Sequence, residues 1–323
     1  MDFALTEAQR ELAALTRKIL SGPADHLWSD LASAGVLAAA LPEEVGGDGF
    51  GVLEQCAVLV ELGRAVAPVP YLPTIVAASA LARFGTPAQK AKWLVARQPV
   101  LTIAFEGEVV AEEIEDGWQL TGEKITVPYG TTAQLFLVTA GADVFLVEPG
   151  EVTITPQELV HGDAAQLEFS AVRAERLGAV TDWVATRYTV GLCAFQLGVT
   201  ERALELTSEY ARTRVQFDRP IGSFQAVAQR LADAFIDVTA IRLTLWQAAS
   251  LVAQDLPADA EVATAKFWAA DAGHRVAHTA VHVHGGTGID MSHDLHRYFT
   301  AAKRAEFELG GATAQLLKLG EVL

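Results

Sequence analysis

Tyr210-Ala211-Arg212-Thr213-Arg214-Val215-Gln216-Phe217-Asp218-Arg219-Pro220-Ile221-Gly222-Ser223-Phe224-Gln225-Ala226-Val227 joins two long apolar patterns, and its reading decides the fold. Before it, Val184, Tyr188, Leu192, Phe195, Val199, Ala203, Leu206 and Tyr210 step by three or four, the spacing of one buried helix face. Beyond it, Phe224, Val227, Leu231, Ala234, Val238, Ile241, Leu245, Ala248 and Val252 repeat that seam over about eight turns. Two long helices joined by a short loop imply antiparallel neighbours, so residues 178–323 are expected to form a four-helix bundle, with Asp255-Leu256-Pro257-Ala258-Asp259 as a further turn. The loop itself is basic in an acidic chain: Arg212, Arg214 and Arg219 lie close together, while the formal net charge is -16. Guanidinium groups fork phosphate oxygens in two parallel bonds, which suits an anionic ligand. A solvated interhelical turn is the other reading, since the helix dipole also favours arginines at a C-terminus.

Downstream, Val281-His282-Val283-His284-Gly285-Gly286-Thr287-Gly288-Ile289-Asp290 runs a helix into a glycine cluster. Glycines let a backbone approach a ligand closely, but the same cluster is equally a helix stop, and no βαβ unit surrounds it. His274, His278 and His282 repeat at four-residue spacing just before it. No carboxylate or Cys completes a ligand set at close spacing, so packing or ligand contacts are expected there and no metal site.

Upstream the texture changes twice. Residues 3–20 carry Phe3, Leu12, Leu15 and Ile19 at helical spacing, with Thr6 and Gln9 placed as a capping box. Further helices are expected at roughly 24–37, 52–65, 73–84 and 87–97, punctuated by Gly46-Gly47-Asp48-Gly49 and by Pro68, Pro70 and Pro73. Residues 1–97 thus form an N-terminal helical domain. Val100-Leu101-Thr102-Ile103, Trp118-Gln119-Leu120, Lys124-Ile125-Thr126-Val127, Leu135-Phe136-Leu137-Val138 and Val144-Phe145-Leu146-Val147 are short and β-rich, which makes 98–177 a middle β domain. The fold class is mainly α, in the order α, β, α.

A composition that is 51% hydrophobic and 20% charged supplies a large core and excludes disorder. The negative charge disfavours binding along a nucleic-acid backbone. Neither a signal-like N-terminus nor an uninterrupted apolar span of about 18 residues is present, so a cytoplasmic protein without membrane insertion is expected. Cys56 and Cys193 sit inside apolar helical patterns and read as small core residues.

The arginine loop and the glycine turn, together with Leu41-Pro42-Glu43-Glu44-Val45-Gly46-Gly47, Glu61-Leu62-Gly63-Arg64 and Gln89-Lys90, make nearly the whole chain resemble the acyl-CoA dehydrogenase family. That resemblance implies FAD as cofactor and an acyl-CoA thioester as substrate. It implies that Arg214, Gln216 and Phe217 contact the FAD of a neighbouring subunit, that Gln225 lines the adenine side, and that Gly285 and Gly286 pass beside the pyrophosphate. His282 stands where a Gln is common. Family members remove the α-proton with a Glu as a hydride leaves the β-carbon. Here that position falls on Leu309, or on Gly311 with two residues inserted, and the family's other position for the base falls near Tyr188. Glu306 and Glu308 lie nearby but point to other helix faces, with Glu308 the fallback.

The family's Thr-Glu-Pro-x-Ala-Gly-Ser-Asp segment, expected after Phe105, is replaced by Glu106-Gly107-Glu108-Val109. Where a Trp with Thr or Ser usually lies against the flavin, residues 124–130 place Pro128. The chain therefore resembles the short, base-lacking subunit of heterotetrameric dehydrogenases that shorten steroid side chains. A homologous partner in an α2β2 assembly is expected to supply the Glu and the flavin-ring pocket. The competing readings are a homotetramer recruiting Glu308 or Glu306, a flavin monooxygenase of the same fold, and a structural subunit without flavin.

Overall fold

The computed structural model describes residues 4–94, 99–159 and 162–322. In chain order the helices are α1 (Glu7–Leu20), α2 (Leu27–Ser33), α3 (Val52–Ala65), α4 (Tyr71–Phe84), α5 (Pro87–Trp93), α6 (Thr181–Thr213), α7 (Gln225–Ala253), α8 (Asp259–His284), α9 (Leu295–Phe307) and α10 (Ala312–Val322). The strands are β1 (Leu101–Ala104), β2 (Val109–Ile114), β3 (Gly117–Pro128), β4 (Leu135–Ala140), β5 (Asp143–Val147), β6 (Thr153–Glu158), β7 (Asp163–Gly178), β8 (Val215–Gln216) and β9 (Arg219–Pro220). An N-terminal helical block, a middle sheet and C-terminal helices follow one another as the sequence leads one to expect. Residues 95–97 of the expected fifth helix lie outside the described residues.

By contacts the chain groups into two units, one of Met1–Gly22, Val52–Ala67 and Thr189–Leu323, the other of Pro23–Gly51 and Pro68–Tyr188. In the second unit the sheet runs β1-β4-β5-β7-β3-β2, with β6 paired to β7 off that path. The segments around Trp118 and Lys124 are one strand, because β3 is carried along β7 through two register shifts, at Leu120/Gly122 and Lys124/Val127. Such bulges keep a long strand paired while it bends. Its core is an apolar cluster that includes Leu120, Phe136, Phe145, Leu167 and Phe169.

The helical unit is organised on α6, a helix of 33 residues. Gly63 of α3 and Gly198 of α6 bring the two backbones into direct contact: a Cβ at Gly198 would lie 1.9 Å from the Val60 carbonyl oxygen, and one at Gly63 would lie 2.0 Å from that of Phe195. Polar side chains hold the crossing from outside. Arg64 pairs with Glu201 at 2.9 Å and Glu205 at 2.8 Å, and its carbonyl accepts the Tyr298 hydroxyl at 2.8 Å. Arg17 of α1 forks Glu61 at 2.6 and 2.9 Å. Glu61-Leu62-Gly63-Arg64 is thus a joint between α1, α3, α6 and α9. Deeper in, the Gln196 amide donates to the carbonyls of Ala269 and Ala302 at 3.1 and 3.3 Å, tying α6 to α8 and α9. The α1 start carries the expected capping box, with Thr6 Oγ1 accepting Gln9 N at 3.2 Å and Thr6 N donating to Gln9 Oε1 at 3.0 Å. Helix α7 is long and apolar enough to cross a membrane by length and composition, and it packs along α8.

Gly198→Ala is expected to force α3 and α6 apart and to cost roughly 1–3 kcal/mol, as overpacking does. Thermal denaturation checks it: Tm should fall for Gly198→Ala and stay unchanged for Gly150→Ala, whose added Cβ meets nothing within 4 Å.

Candidate functional site

The arginine loop is a β-hairpin. Val215 pairs with Pro220 and Gln216 with Arg219, leaving Phe217 and Asp218 as a two-residue turn. Both have positive φ, 52° and 62°, as a type I′ turn demands. Asp tolerates that conformation, but a bulky aromatic there costs on the order of 1–3 kcal/mol. The strain presents the Phe217 ring outward, 87% exposed. Its edge contact with Phe224 is 6.1 Å between centroids, and Arg219 lies 4.2 Å over the Phe224 ring. The hairpin base is pinned to the end of α6: Arg214 N donates to Tyr210 O and Ile221 N to Arg214 O, each at 2.8 Å. Arg214 is exposed and, among the described residues, enters no ion pair. Gln216 donates to the Val215 carbonyl at 2.7 Å, and Gln225 opens α7 in solvent.

The glycine turn caps α8. Gly285 takes φ 63° and ψ -137°, a conformation that excludes a side chain. A Cβ at Gly285 or Gly286 would meet no atom within 4 Å, whereas at Gly288 it would strike Val281 O at 2.8 Å. Gly288 therefore closes the turn on its own helix, and the Gly285-Gly286 face stays open. His282 is exposed and His284 is buried.

These two segments meet. The Tyr210 and His284 rings stack at 4.3 Å with 21° between planes, which brings the hairpin and the turn to one end of the helical unit. Neither ring was marked by the sequence patterns, because Tyr210 counted only as the last residue of an apolar seam.

The positions that the resemblance offers for a base, Leu309, Gly311 and Tyr188, are not carboxylates. Leu309 has φ 58° just past α9, and Tyr188 is buried with its edge on Phe105 at 5.2 Å. The Glu306 carboxylate accepts Lys303 at 2.6 Å and faces His274 Nδ1 at 3.1 Å, and Glu308 pairs with Arg304 at 3.5 Å. Lys266, fully buried, donates to the carbonyls of Ala305 and Glu306 at 2.8 and 3.1 Å, and burial pushes its pKa down.

In the β unit, the short loop between β1 and β2 is sewn onto β3. Lys124 Nζ donates to the carbonyls of Phe105 at 2.8 Å and Gly107 at 2.9 Å, while Ile125 N and Glu123 N donate to those of Glu106 and Glu108, each at 2.9 Å. Thr139 Oγ1 completes the ammonium's shell at 3.1 Å. Gly107, at φ 102°, is required, because a Cβ there would lie 2.5 Å from Glu123 O. Lys124 is 3% exposed, and burial lowers its pKa to about 8. Apart from this region, an apolar cavity of about 330 Å³ opens in the same unit, lined by residues including Leu37, Leu41, Tyr71, Ile75 and Trp93.

The family models agree with this fold and its ends. The acyl-CoA dehydrogenase C-terminal domain matches residues 184–323 and the N-terminal domain residues 2–97. The chain belongs to the acyl-CoA dehydrogenase family, a family of flavoprotein oxidoreductases. It is 49% identical to acyl-CoA dehydrogenase FadE27 of Mycobacterium tuberculosis, with 100% of this chain and 99% of the relative covered. Among solved structures it matches the ChsE4-ChsE5 complex of Mycobacterium tuberculosis with a TM-score of 0.94 and 49% identity, over 99% of this chain and 98% of that one. It also matches the Tcur3481-Tcur3483 steroid ACAD variant with a TM-score of 0.93 and 38% identity, over 98% of this chain and 97% of that one.

Lys124 supplies a pH test. Its folded pKa of about 8 lies below the ordinary lysine value of 10.5, so the unfolded chain holds the extra proton between those values. Its burial cost is therefore fully present below pH 8 and fades as pH rises towards 10.5, by up to about 3 kcal/mol. Denaturant unfolding at pH 7.5 and pH 10 should show the wild type gaining stability relative to Lys124→Met across that interval. Parallel curves would remove the burial argument.

Proposed function

We propose that the chain is an FAD-binding subunit of an acyl-CoA dehydrogenase in which a homologous partner supplies the catalytic carboxylate and the pocket for the reacting ring. The observation that carries this reading is the open face at one end of the helical unit, where the Tyr210-His284 contact joins a hairpin with an exposed Arg214, in no ion pair among the described residues, and an outward Phe217 to the bare Gly285-Gly286 backbone. These residues fit a dinucleotide. The Arg214 guanidinium suits pyrophosphate oxygens, and the two glycines let a backbone run beside them. Phe217 offers a flat apolar surface, and Gln216, Gln225 and His282 offer hydrogen bonds around it. The chemistry FAD supplies when bound is hydride acceptance.

The α-proton of the thioester needs a carboxylate, which this chain does not place at Leu309, Gly311 or Tyr188. Glu306 and Glu308 are already engaged by Lys303, His274 and Arg304. The loop of residues 105–108 has its carbonyls bound to β3 and the Lys124 ammonium, so that face of the β unit does not fit a flavin ring. Helix α7 exposes Phe235 and Ile236, each at 64%, a surface suited to burial against a homologous subunit in an α2β2 assembly. The similarity to the ChsE4-ChsE5 complex and to the Tcur3481-Tcur3483 steroid ACAD supports such a partner and a bulky acyl-CoA. A cytoplasmic location goes with this reading.

The test is purification of the chain alone and with its homologous subunit. Expected are a yellow complex that oxidises acyl-CoA with an artificial electron acceptor, and a lone chain that neither holds FAD stoichiometrically nor turns over. Arg214→Ala in the complex should weaken FAD by roughly ten- to a hundredfold, the worth of a lost charge-assisted contact. Turnover by the lone chain that is abolished by Glu306→Gln with Glu308→Gln would establish the homotetramer instead. A colourless complex would establish a structural subunit.

A further inference from the structure

The hairpin and the glycine turn are each rigid on their own element. Gly222 packs on the last turn of α6, where a Cβ would come within 3.0 Å of Ala211 O, and Arg214 N continues the helical ladder onto Tyr210 O at 2.8 Å. Arg214 is thereby locked to the backbone of Tyr210. On α8, His284 Nδ1 bonds to Ala280 O at 2.8 Å, which turns the ring away from solvent, and Gly285 follows at once. Gly288 folds back so closely that a Cβ there would lie 3.1 Å from His284 Cβ. The imidazole is thus a wall of the turn on one side and a stacking partner of Tyr210 on the other. His293 covers its remaining flank at 5.4 Å, and burial lowers the His284 pKa, in keeping with a neutral packing ring.

Resting on the dinucleotide reading above, we infer that Tyr210 and His284 are positioning residues: their stacked rings set the distance and angle between the arginine hairpin and the glycine turn, and so the geometry in which both grip one FAD. Neither side chain contacts the cofactor in this role. An offset aromatic pair is worth about 0.5–1.5 kcal/mol, so a ligand held by both halves should lose up to roughly tenfold in affinity when the stack is removed.

The experiment measures FAD dissociation constants by fluorescence, with FAD itself as probe, on the chain co-purified with its homologous subunit, alongside Tm. His284→Ala is expected to weaken FAD several-fold to about tenfold, and His284→Phe, which restores a flat ring, to bring the affinity back to near the wild-type value. Tyr210→Leu, at a half-buried position, should repeat the loss if His284→Ala does not fold. A purely structural role would lower Tm while leaving the affinity of the folded fraction unchanged, and that result overturns the inference. Wild-type affinity in His284→Ala and Tyr210→Leu overturns it with the dinucleotide reading intact. A wild-type complex that binds no FAD overturns both, and is told apart by needing no variant.

Discussion

The backbone crossing of Gly63 and Gly198 is the contact on which the helical unit depends. A helix as long as α6 could swing widely about a loosely packed midpoint, and a small rotation there moves its last turn by several ångströms. Main-chain contact at two glycines, Gly63 against Phe195 and Gly198 against Val60, removes that freedom, because dispersion contacts are lost steeply with even a small gap. Gln196 adds direction: one amide reaches carbonyls of two other helices, and a side chain at Gly273 would lie 2.1 Å from that amide nitrogen. With the middle of α6 held on α3, α8 and α9, the Tyr210 turn has a defined place from which the hairpin can project.

The β unit shows the same accounting of polar groups used to close a surface. A loop that departs from regular structure must satisfy its carbonyls, and in a ligand-binding loop some are left for the ligand or for water. Residues 105–108 leave none of those carbonyls over, since two are taken by amides of β3 and two by one ammonium. Burying that ammonium is costly and lowers its pKa, and three acceptors offset the cost. A lysine is thus held where a shorter or neutral side chain would leave the loop untied. The loop of residues 105–108 is consequently a well-bonded piece of structure.

Much of this architecture was legible in the residues. The seam from Val184 to Tyr210 is helix α6, Thr6 and Gln9 do form a capping box, and the β-rich runs are strands, because each is a local pattern with a local physical cause. The type I′ hairpin was not legible, since Phe217-Asp218 lacks the Asn-Gly or Gly-Gly signature that normally announces one. Strand β6 is short and mostly polar with a proline inside it, and β7 carries Asp163, Glu168, Arg173, Glu175 and Arg176 along its length, so alternation alone is too broken to reveal them. Lys124 and the Tyr210-His284 stack escaped for a different reason. Each is a contact between residues far apart in sequence, and a lone Lys in a strand or a His before glycines has no spacing that betrays a partner.

The end of α9 bears most directly on the proposed division of labour between subunits. Leu309 adopts a positive φ that a leucine accepts only at a cost, and the Gln315 amide grips the carbonyls of Leu309 and Gly310 at 3.1 Å each. The turn is therefore over-determined, as turns that hold a functional side chain are, yet the side chain it holds is apolar. The acidic groups just before it are drawn into pairs along α9, and Lys266 occupies the carbonyls that end the helix. A proton acceptor for catalysis needs both an exposed lone pair and freedom from a competing cation at that spot. In the proposed assembly this turn keeps its bonding without a carboxylate at its tip, the combination that a subunit would have if its homologous partner supplied the reactive group.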